Sequence, residues 1–532
     1  MKRIGIDVGG TNTDAALIVD GKVVKGVKTP TTEDVLSGVR KVLELVLDGN
    51  REAGIGLDGV MIGTTHFTNA VVQRRGLNKV SALRIGLPSG ASLPPFVDWP
   101  KDLAGLVRGT VHMVRGGHEY DGRPLVPMDR DAIREAAGRI SEAGIRSVAV
   151  SAVFSPLTNE CELEAAEILR RENPDLHITL SSELGRIGLL ERENVALLNA
   201  CLQELARKTT RAFIEALGES GIRAPLYLTQ NDGTIMRAEI VESFPVYCFA
   251  SGPTNSMRGA AFLSGIEDGV VVDVGGTTSD IGYLKAGFPR EANNTVEVGG
   301  VRTLFRMPDL LSIGLGGGTE ISADTLAIGP GSVGYRLTSD ALVFGGRQLT
   351  ATDIAVAAGI ADIGDRGRVA GLSPSMVEAT LQRMREMIAE GMDRMKTEAG
   401  DLPLLAVGGG SFLIPDKVEG ASEVVRVEHH AIANAVGAGI AQVSGEVDRI
   451  FSGMGRDKAL ETAAGEARAK AVASGADERT LKTVESEDLP LAYLSGDTLR
   501  VRVRVVGDIA ASSPSSRAER SVVEGPVHVG RN

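Results

Sequence analysis

Short apolar runs that end in glycine-rich turns dominate the pattern of this chain. Near its start, residues 3–6 and 15–19 are mostly apolar, and a polar, glycine-rich segment separates them. Residues 269–272 and 281–284 repeat this arrangement much later. Two short apolar runs joined by a turn with Gly-Gly are typical of a β-hairpin rather than of a strand followed by a helix. The pattern therefore predicts two hairpins far apart in sequence.

Longer segments with apolar residues three and four apart predict helices, and short apolar runs predict further strands. Helices are expected over residues 32–47, around 69–72, and over 129–143, 159–172, 192–217, 376–396 and the polar stretch 446–481. Strands are expected over 60–65, 148–153 and 498–507. The Pro- and Gly-rich residues 88–127 are expected to be irregular, and the segment from about residue 511 to be mobile. Strands alternating with helices predict an α/β fold.

The turn of each hairpin carries nearly the same eight residues. Asp7-Val-Gly-Gly-Thr-Asn-Thr-Asp14 matches Asp273-Val-Gly-Gly-Thr-Thr-Ser-Asp280 at six of eight positions, including both Asp residues. Glycine lets the backbone approach an anion closely, and successive N–H groups in such a turn form a concave anion site. A pair of ordinary β-turns would not need this repetition. We therefore expect the two hairpins to hold one polyphosphate from both sides.

The residue types in these turns assign candidate roles. Asp7 and Asp273 end their strands as hard oxygen ligands and are the candidate catalytic residues and Mg²⁺ ligands, through water. The candidate phosphate-binding residues are Gly9, Gly10, Thr11, Asn12, Thr13, Gly275, Gly276, Thr277 and Thr278.

Composition narrows the class of protein. A chain of 532 residues is too long for one core, so two or more domains are expected. The net charge of −12 argues against a nucleic-acid partner. Cys161, Cys201 and Cys248 stand far apart, which indicates neither a disulfide framework nor a zinc site and suits a reducing cytoplasm. Neither a secretory leader nor an 18-residue apolar run is recognisable, so no membrane partner is expected.

Two further glycine clusters follow the second hairpin. Gly316, Gly317 and Gly318 lie between apolar residues, and Gly408, Gly409 and Gly410 end an apolar run. A buried strand that ends in glycines lets a nucleotide lie against the backbone. Neither cluster fits the Walker A spacing or the dinucleotide fingerprint. A tight strand–helix junction explains each cluster taken alone, but their order after two Asp-Gly-Gly-Thr hairpins favours a nucleotide site.

Taken together, these motifs resemble the actin/hexokinase/Hsp70 ATPase superfamily. The two hairpins resemble its phosphate motifs, residues 407–415 its adenosine motif, and residues 433–439 its second connecting helix. The resemblance implies a duplicated pair of actin/hexokinase-like (ribonuclease H-like) α/β domains that bind ATP with Mg²⁺.

A narrower resemblance is to the ATP-binding A (α) subunit of the hydantoinase/oxoprolinase family, over residues 3–445. The segments that carry it are residues 7–14, 63–76, 180–183, 191–192, 198–200, 251–253, 273–280 and 312–318. The expected domains are an N-terminal half at 1–190, a second half at 191–445 and a small C-terminal α+β region at 446–532.

The resemblance implies an ATP-dependent cyclic amidohydrolase. Such an enzyme phosphorylates the amide oxygen of a hydantoin or of 5-oxoproline, and the ring is then opened, often by a hydrolytic B (β) partner subunit. Thr64, Thr65, His66 and Asn69 follow a predicted strand in the first half and are the candidate substrate-binding residues, with a structural histidine as the alternative for His66. Formation of a homo-oligomer is left open.

Two other classes of function remain open from the sequence. One is a kinase of the same superfamily that acts on a sugar or an acid. The other is a nucleotide-switch activase that clamps a partner protein. Fold alone does not separate these classes.

Overall fold

The computed structural model of the chain describes residues 1–31, 35–47, 56–185, 187–292, 295–491 and 498–510. Its strands are, in chain order, β1 (Lys2–Val8), β2 (Asn12–Val19), β3 (Lys22–Pro30), β4 (Gly59–Thr64), β5 (Val80–Leu87), β6 (Arg108–Arg115), β7 (Ser147–Ala152), β8 (His177–Leu180), β9 (Leu226–Thr229), β10 (Thr234–Arg237), β11 (Gly269–Val274), β12 (Ser279–Lys285), β13 (Phe288–Pro289), β14 (Val296–Val298), β15 (Val301–Thr303), β16 (Leu310–Ile313), β17 (Thr319–Ile321), β18 (Ile328–Ser332), β19 (Leu402–Val407), β20 (Ala421–Arg426), β21 (Gln442–Phe451), β22 (Lys482–Pro490) and β23 (Leu499–Gly507).

Its helices are α1 (Val35–Leu47), α2 (His66–Gln73), α3 (Lys101–Val107), α4 (Arg130–Glu142), α5 (Glu160–Glu172), α6 (Leu189–Glu219), α7 (Ala238–Val241), α8 (Ser251–Ser264), α9 (Leu337–Asp340), α10 (Ala351–Ala357), α11 (Pro374–Met395), α12 (Ala433–Ile440) and α13 (Arg456–Ala473). Among the described residues, none of these helices combines the length and apolar character that a membrane crossing requires.

Two mixed sheets carry the two hairpins, and their central strands share one topology. The order is β3-β2-β1-β4-β9 in the nine-stranded sheet and β13-β12-β11-β19-β20 in the six-stranded sheet. In both, the hairpin strands and the third strand are antiparallel, and the last two strands run parallel to the first. This shared topology confirms the predicted duplicated α/β fold. We call the parts built on the nine- and six-stranded sheets the first and second lobes.

A third, all-parallel sheet of order β6-β5-β7-β8 is inserted into the first lobe, with α4 and α5 packed on its core. The expectation that residues 88–127 are irregular is wrong in part, because this stretch contains α3 and β6. Strand β6 lies at the sheet edge and is mostly half-buried, so it lacks the apolar run that marks a buried strand. The flanking segments are rich in Pro and Gly, so the sequence pattern did not predict this strand.

The C-terminal part of the described chain extends the first sheet. Strands β21, β23 and β22 continue that sheet beyond β10, and α13 packs on β21 and β23. The helix predicted over residues 446–481 is therefore wrong at its start. Glu446 and Asp448 look solvent-facing in sequence, but they lie in β21 and bind Arg502 and Arg500 of the neighbouring strand. The segment predicted to be mobile from residue 511 lies outside the described residues.

The predicted domain boundaries at 190 and 445 stay predictions, because sheet membership does not by itself define domains. Pairing passes from the first sheet to the second between β10 and β11, and returns between β20 and β21. Helix α8 makes the first passage and α12 the second.

The second lobe also sends one excursion into the first. The short hairpin β14–β15 belongs to the segment between β13 and β16 of the second sheet. Its Val298 and Val301, together with Phe305 and Met307 just after it, are buried in the apolar core of the first lobe. The Asn194 side chain of α6 donates to the Arg302 carbonyl at 2.9 Å. We call residues 296–307 the strap.

The two passage helices, α8 and α12, cross in direct backbone contact. A Cβ on Gly259 would lie 1.9 Å from the Ala433 carbonyl oxygen, and one on Gly437 would lie 1.8 Å from that of Asn255. Helix α12 also lies against β1, where a Cβ on Gly5 would meet the Ala435 oxygen at 2.0 Å. Only glycine permits this spacing, so these positions fix how the lobes are joined.

We expect Gly259→Ala to lower the free energy of unfolding by about 3 kcal/mol or more, because the new methyl group meets a backbone atom that cannot rotate away. Gly138→Ala in α4 is the matched control, since a Cβ there would meet nothing within 4 Å. The control should be stabilised by about 0.5–1 kcal/mol. Denaturant unfolding of both variants measures the effect, and an unchanged transition for Gly259→Ala would contradict the packing described.

Candidate functional site

The two Asp-Gly-Gly-Thr segments form the same turn. The Gly9 amide donates to the Asn12 carbonyl at 3.0 Å, and the Gly275 amide donates to the Thr278 carbonyl at 2.9 Å. Across each hairpin the first and last Asp of the motif are direct partners, Asp7 with Asp14 and Asp273 with Asp280. Directly opposed residues share one face of a sheet, so each hairpin presents two carboxylates together.

The turns of the two lobes face each other. A Cβ on Gly276 would lie 3.2 Å from the Thr11 hydroxyl oxygen, so the first turn touches the second. Within the described residues, the amides of Gly10, Thr11, Gly276 and Thr277 have no hydrogen-bond acceptor. Four unused N–H groups on two facing turns are suited to an anion with several oxygens.

Burial changes the protonation of the carboxylates. Burial, together with the charges of Asp14 and Asp273, raises the pKa of Asp7 to about 7, although the amides of Asn255 and Asn434 act in the opposite direction. Burial also raises the pKa of Asp14 and of Asp273, although Lys28 opposes both shifts. Burial raises the pKa of Asp280 to about 6, although its hydrogen bond with Ser312 acts in the opposite direction. The carboxylates of the two lobes are thus close enough to repel one another.

These carboxylates do not provide a complete set of direct ligands for a divalent cation. No cluster of three or more acidic, His or Cys side chains with metal-ligand geometry occurs in the part of the chain that the structure describes. Asp7 Oδ1 is nevertheless buried without a well-formed hydrogen bond among those residues, and its surroundings combine two like-charged carboxylates with the Asn255 and Asn434 amides. Asp7 and Asp273 could therefore hold Mg²⁺ with water completing the coordination, which stays a prediction.

Helix α8 begins beside Asp7 and also touches Asp273. A Cβ on Gly252 would lie 3.9 Å from Asp7 Oδ1 and 3.6 Å from the Thr65 methyl group. Ser256, one turn further, lies close enough to Asp273 to lower the pKa of that carboxyl group. From α12, Asn434 Nδ2 donates to Asp7 Oδ2 at 2.9 Å. The two passage helices therefore position one carboxylate from each lobe.

Three of the residues at this site were not among the predicted site residues. Asn434 had a usable signal, since it is the lone polar residue in the small, apolar helix α12. Ser256 and Lys28 had none, because their contacts depend on pairing between distant segments. Lys28 Nζ lies 2.6 Å from Asp14 Oδ2.

The Gly316–Gly318 cluster lies behind the second turn. The amides of Gly317 and Gly318 donate to the carbonyls of Gly275 and Gly276, at 3.0 and 2.7 Å, and the Gly316 amide donates to Thr319 Oγ1 at 2.7 Å. A Cβ on Gly316 would meet the Thr277 backbone at 2.7 Å. All three amides are used within the protein. These contacts favour a supporting role, and direct contact with a nucleotide stays a prediction.

The Gly408–Gly410 cluster borders the second turn, and the next residue, Ser411, lines a cavity. Gly408 has a φ of +89°, and a Cβ there would lie 2.2 Å from Asp273 Oδ1, so glycine leaves room for that carboxylate. The Gly410 amide donates to the Val274 carbonyl at 2.8 Å, and Gly409 is exposed. The residues that follow line a cavity of about 510 Å³, together with Arg385, Arg426 and His430. Its size and position suit a nucleoside.

The candidate substrate residues end β4 next to Asp7. Thr64 is buried and accepts a hydrogen bond from the His66 amide at 3.1 Å, while Asn69 donates to Thr65 Oγ1 at 3.2 Å. Burial lowers the pKa of His66, which favours the neutral form of its ring. Thr65 is the member of this group placed beside Asp7, through α8. Among the phosphate candidates, Thr13 is buried and bonds Thr31 at 3.3 Å.

A larger cavity of about 940 Å³ lies between residues 155–159, β21 and α13. None of the predicted site residues lines it, so cavity size alone would point away from the paired turns.

Comparison with known families decides the relationship of this chain. The model described as hydantoinase/oxoprolinase N-terminal region matches residues 3–173, and the hydantoinase/oxoprolinase model matches residues 192–365. The chain belongs to the hydantoinase/oxoprolinase family. This confirms the resemblance inferred from the motifs.

Two curated relatives within this family illustrate its range. The acetophenone carboxylase gamma subunit of Aromatoleum aromaticum is 26% identical over 437 residues, covering 76% of this chain and 59% of the relative. The caprolactamase subunit alpha of Pseudomonas jessenii is 26% identical over 419 residues, covering 73% of this chain and 58% of the relative. The chain thus spans about three fifths of the length of these relatives.

Solved structures support the fold. The ATP-dependent caprolactamase from Pseudomonas jessenii has a TM-score of 0.78 at 19% identity, covering 96% of this chain and 88% of that one. The nucleotide-free structure of acetone carboxylase, described as ATP-dependent, has a TM-score of 0.66 at 18% identity, covering 96% of this chain and 89% of that one.

The raised pKa of Asp7 predicts a pH-dependent stability. Its value of about 7 in the folded chain exceeds the ordinary 3.8, so folding favours the protonated form and stability falls as pH rises through this interval. Asp7→Asn removes the cost of ionising a buried carboxyl group. In buffer without divalent cations, the free energy of unfolding of this variant relative to that of the native chain should therefore increase by roughly 2 kcal/mol between pH 5 and pH 8. The exposed Asp324→Asn serves as control, and equal pH profiles for all three proteins would contradict a strained Asp7.

Proposed function

We propose that this chain binds ATP with Mg²⁺ between its two Asp-Gly-Gly-Thr turns and uses it to activate a cyclic amide for hydrolytic ring opening. The facing turns are the observation that carries the proposal, because they bring together four unused amides, the buried Asp7 and the half-buried Asp273. Membership of a family with a caprolactamase subunit supports the choice of a cyclic amide.

The chemistry that ATP would supply is phosphorylation of the amide oxygen, which overcomes the resonance that makes a lactam a poor electrophile. Such transfer depends on positioning and charge neutralisation, which backbone amides and a bound cation provide. The turn amides, with Thr11, Asn12, Thr277 and Thr278, would bind phosphate oxygens. Asp7 and Asp273 would hold Mg²⁺. Gly408–Gly410 and the cavity beside them would hold the nucleoside.

The substrate would lie at the end of β4, beside the first turn. Thr65 is near Asp7, and the neutral ring of His66 could donate a hydrogen bond to a carbonyl oxygen. A neutral donor is suited to the carbonyl oxygen of an uncharged lactam ring.

A hydrolytic partner subunit is part of the proposal. The two relatives are named as an alpha and a gamma subunit, and each is longer than the matched region. We infer that ring opening takes place on such a partner, whereas this chain performs the ATP-dependent step.

A second candidate function follows from the acetophenone carboxylase relative. A ketone, like an amide, presents a carbonyl oxygen that ATP can phosphorylate. The same site could therefore activate an enolisable ketone for carboxylation.

The decisive experiment measures phosphate release from ATP and Mg²⁺ by the purified chain against a panel of compounds. The panel contains caprolactam, 5-oxoproline, hydantoin and N-methylhydantoins, with acetophenone, acetone and several sugars for comparison. Stimulation by a cyclic amide supports the proposal, and phosphate release without ring opening supports a separate hydrolytic partner. Stimulation by ketones alone favours the carboxylase function, and stimulation by sugars alone overturns both.

Asp273→Asn should lower substrate-dependent ATP turnover about 100-fold or more, because it removes a cation ligand at the transferring phosphoryl group. The fold should persist, since the neutral amide suits a site where burial already raises the carboxyl pKa. Asp324→Asn, an exposed change in the same lobe, should keep full activity. Full activity in the Asp273 variant would remove this residue from the proposed site.

A further inference from the structure

The two lobes differ in the residue that lies across the sheet from their second carboxylate. In the first sheet, Asp7, Asp14 and Lys28 are consecutive partners across β1, β2 and β3. In the second sheet, the corresponding row is Asp273, Asp280 and Ser312, across β11, β12 and β16. Directly opposed residues point to the same face, so each row is a line of three side chains at the cleft. The first row ends in a cation and the second in a hydroxyl group.

Lys28 spans the junction between the lobes. Its ammonium group donates to Asp14 Oδ2 at 2.6 Å and to the Ala431 carbonyl at 3.0 Å, just before α12. Its Cε lies 3.7 Å from where a Cβ on Gly409 would be, so the stem borders the predicted nucleotide segment. An ammonium group has three donors, and the third has no acceptor among the described residues.

The end of β3 is also fixed to the first phosphate turn. The Thr31 amide donates to the Thr11 carbonyl at 2.9 Å, and the Thr31 hydroxyl donates to the Gly9 carbonyl at 2.8 Å. Lys28, three residues earlier, is therefore held at a set distance from that turn. Its side chain is 32% exposed, so a ligand in the cleft can reach it.

We propose that Lys28 is a phosphate-binding residue, whose free donor contacts the polyphosphate of the nucleotide while the other two hold Asp14 and the Ala431 carbonyl. This inference rests on the proposed ATP-binding function. Free Mg²⁺-ATP carries a net negative charge, and the site already contains four buried or half-buried carboxylates. A cation that reaches both lobes offsets this repulsion where the turns alone offer only neutral donors.

Lys28 could instead serve only to neutralise Asp14. Variants that change both members of the ion pair distinguish this structural role from phosphate binding. Lys28→Met alone leaves the Asp14 carboxylate buried without its partner and could prevent folding. The comparison is therefore made in an Asp14→Asn background, where the direct ion-pair partner of Lys28 carries no charge. Lys22→Met, at the opposite and exposed end of β3, is the matched control.

The experiment measures equilibrium binding of ATP with Mg²⁺, and of adenosine, by calorimetry on the full chain. Relative to Asp14→Asn, we expect Lys28→Met/Asp14→Asn to bind ATP about 10- to 100-fold more weakly, as for loss of a hydrogen bond to a charged group, with adenosine binding unchanged. In the same Asp14→Asn background, Lys28→Arg should bind ATP more tightly than Lys28→Met does.

Equal ATP affinity in the double variant and in Asp14→Asn overturns the inference, and so does a parallel loss of adenosine binding. If the native chain binds adenosine but not ATP, or binds neither, the proposed function fails and this inference fails with it. Native ATP binding that survives the loss of Lys28 leaves the proposed function intact and rejects only the role of Lys28.

Discussion

The crossing of α8 and α12 is the contact on which the candidate site depends. These helices carry the chain between the lobes, and Gly259 and Gly437 bring their backbones together at a distance that no other residue allows. Because Asn434 of α12 donates to Asp7, and Ser256 of α8 lies beside Asp273, the same crossing brings one carboxylate from each lobe together. The separation of the two phosphate turns is thus set by helix packing rather than by the loops themselves.

The site clusters four carboxylates at the place where a negatively charged nucleotide is proposed to bind. Burial raises the pKa values of Asp7, Asp14, Asp273 and Asp280, which stores an electrostatic cost in the folded chain. A bound cation and Lys28 would relieve this cost, so affinity for metal and nucleotide would derive partly from repulsion already present. The two carboxylate rows are unequal, because Lys28 follows Asp14 in the first and Ser312 follows Asp280 in the second.

Local patterns were enough to predict the duplicated hairpins, because the turn geometry, the glycines and the paired Asp residues all lie within eight residues. Long-range pairing was not readable in the same way. The sequence of β21 shows charges at 446 and 448, and only their partners on β23 explain why they are tolerated in a sheet. Likewise, Gly316–Gly318 looks like a ligand loop until its amides are found bonded to the neighbouring turn. Lys28 gave no signal at all, since its role depends on Ala431, some 400 residues away.

The strap gives the cleft an unusual mechanical character. Two lobes joined only by two helices could swing apart like the halves of a hinge. Here Val298, Val301, Phe305 and Met307 of a second-lobe excursion are embedded in the core of the first lobe. Withdrawing one large apolar side chain from such a core costs about 1.5–3 kcal/mol, so a wide swing would require partial unfolding. The strap therefore ties the lobes together independently of α8 and α12, like a second clasp on the same joint, so a wide opening of the cleft would have to break both connections.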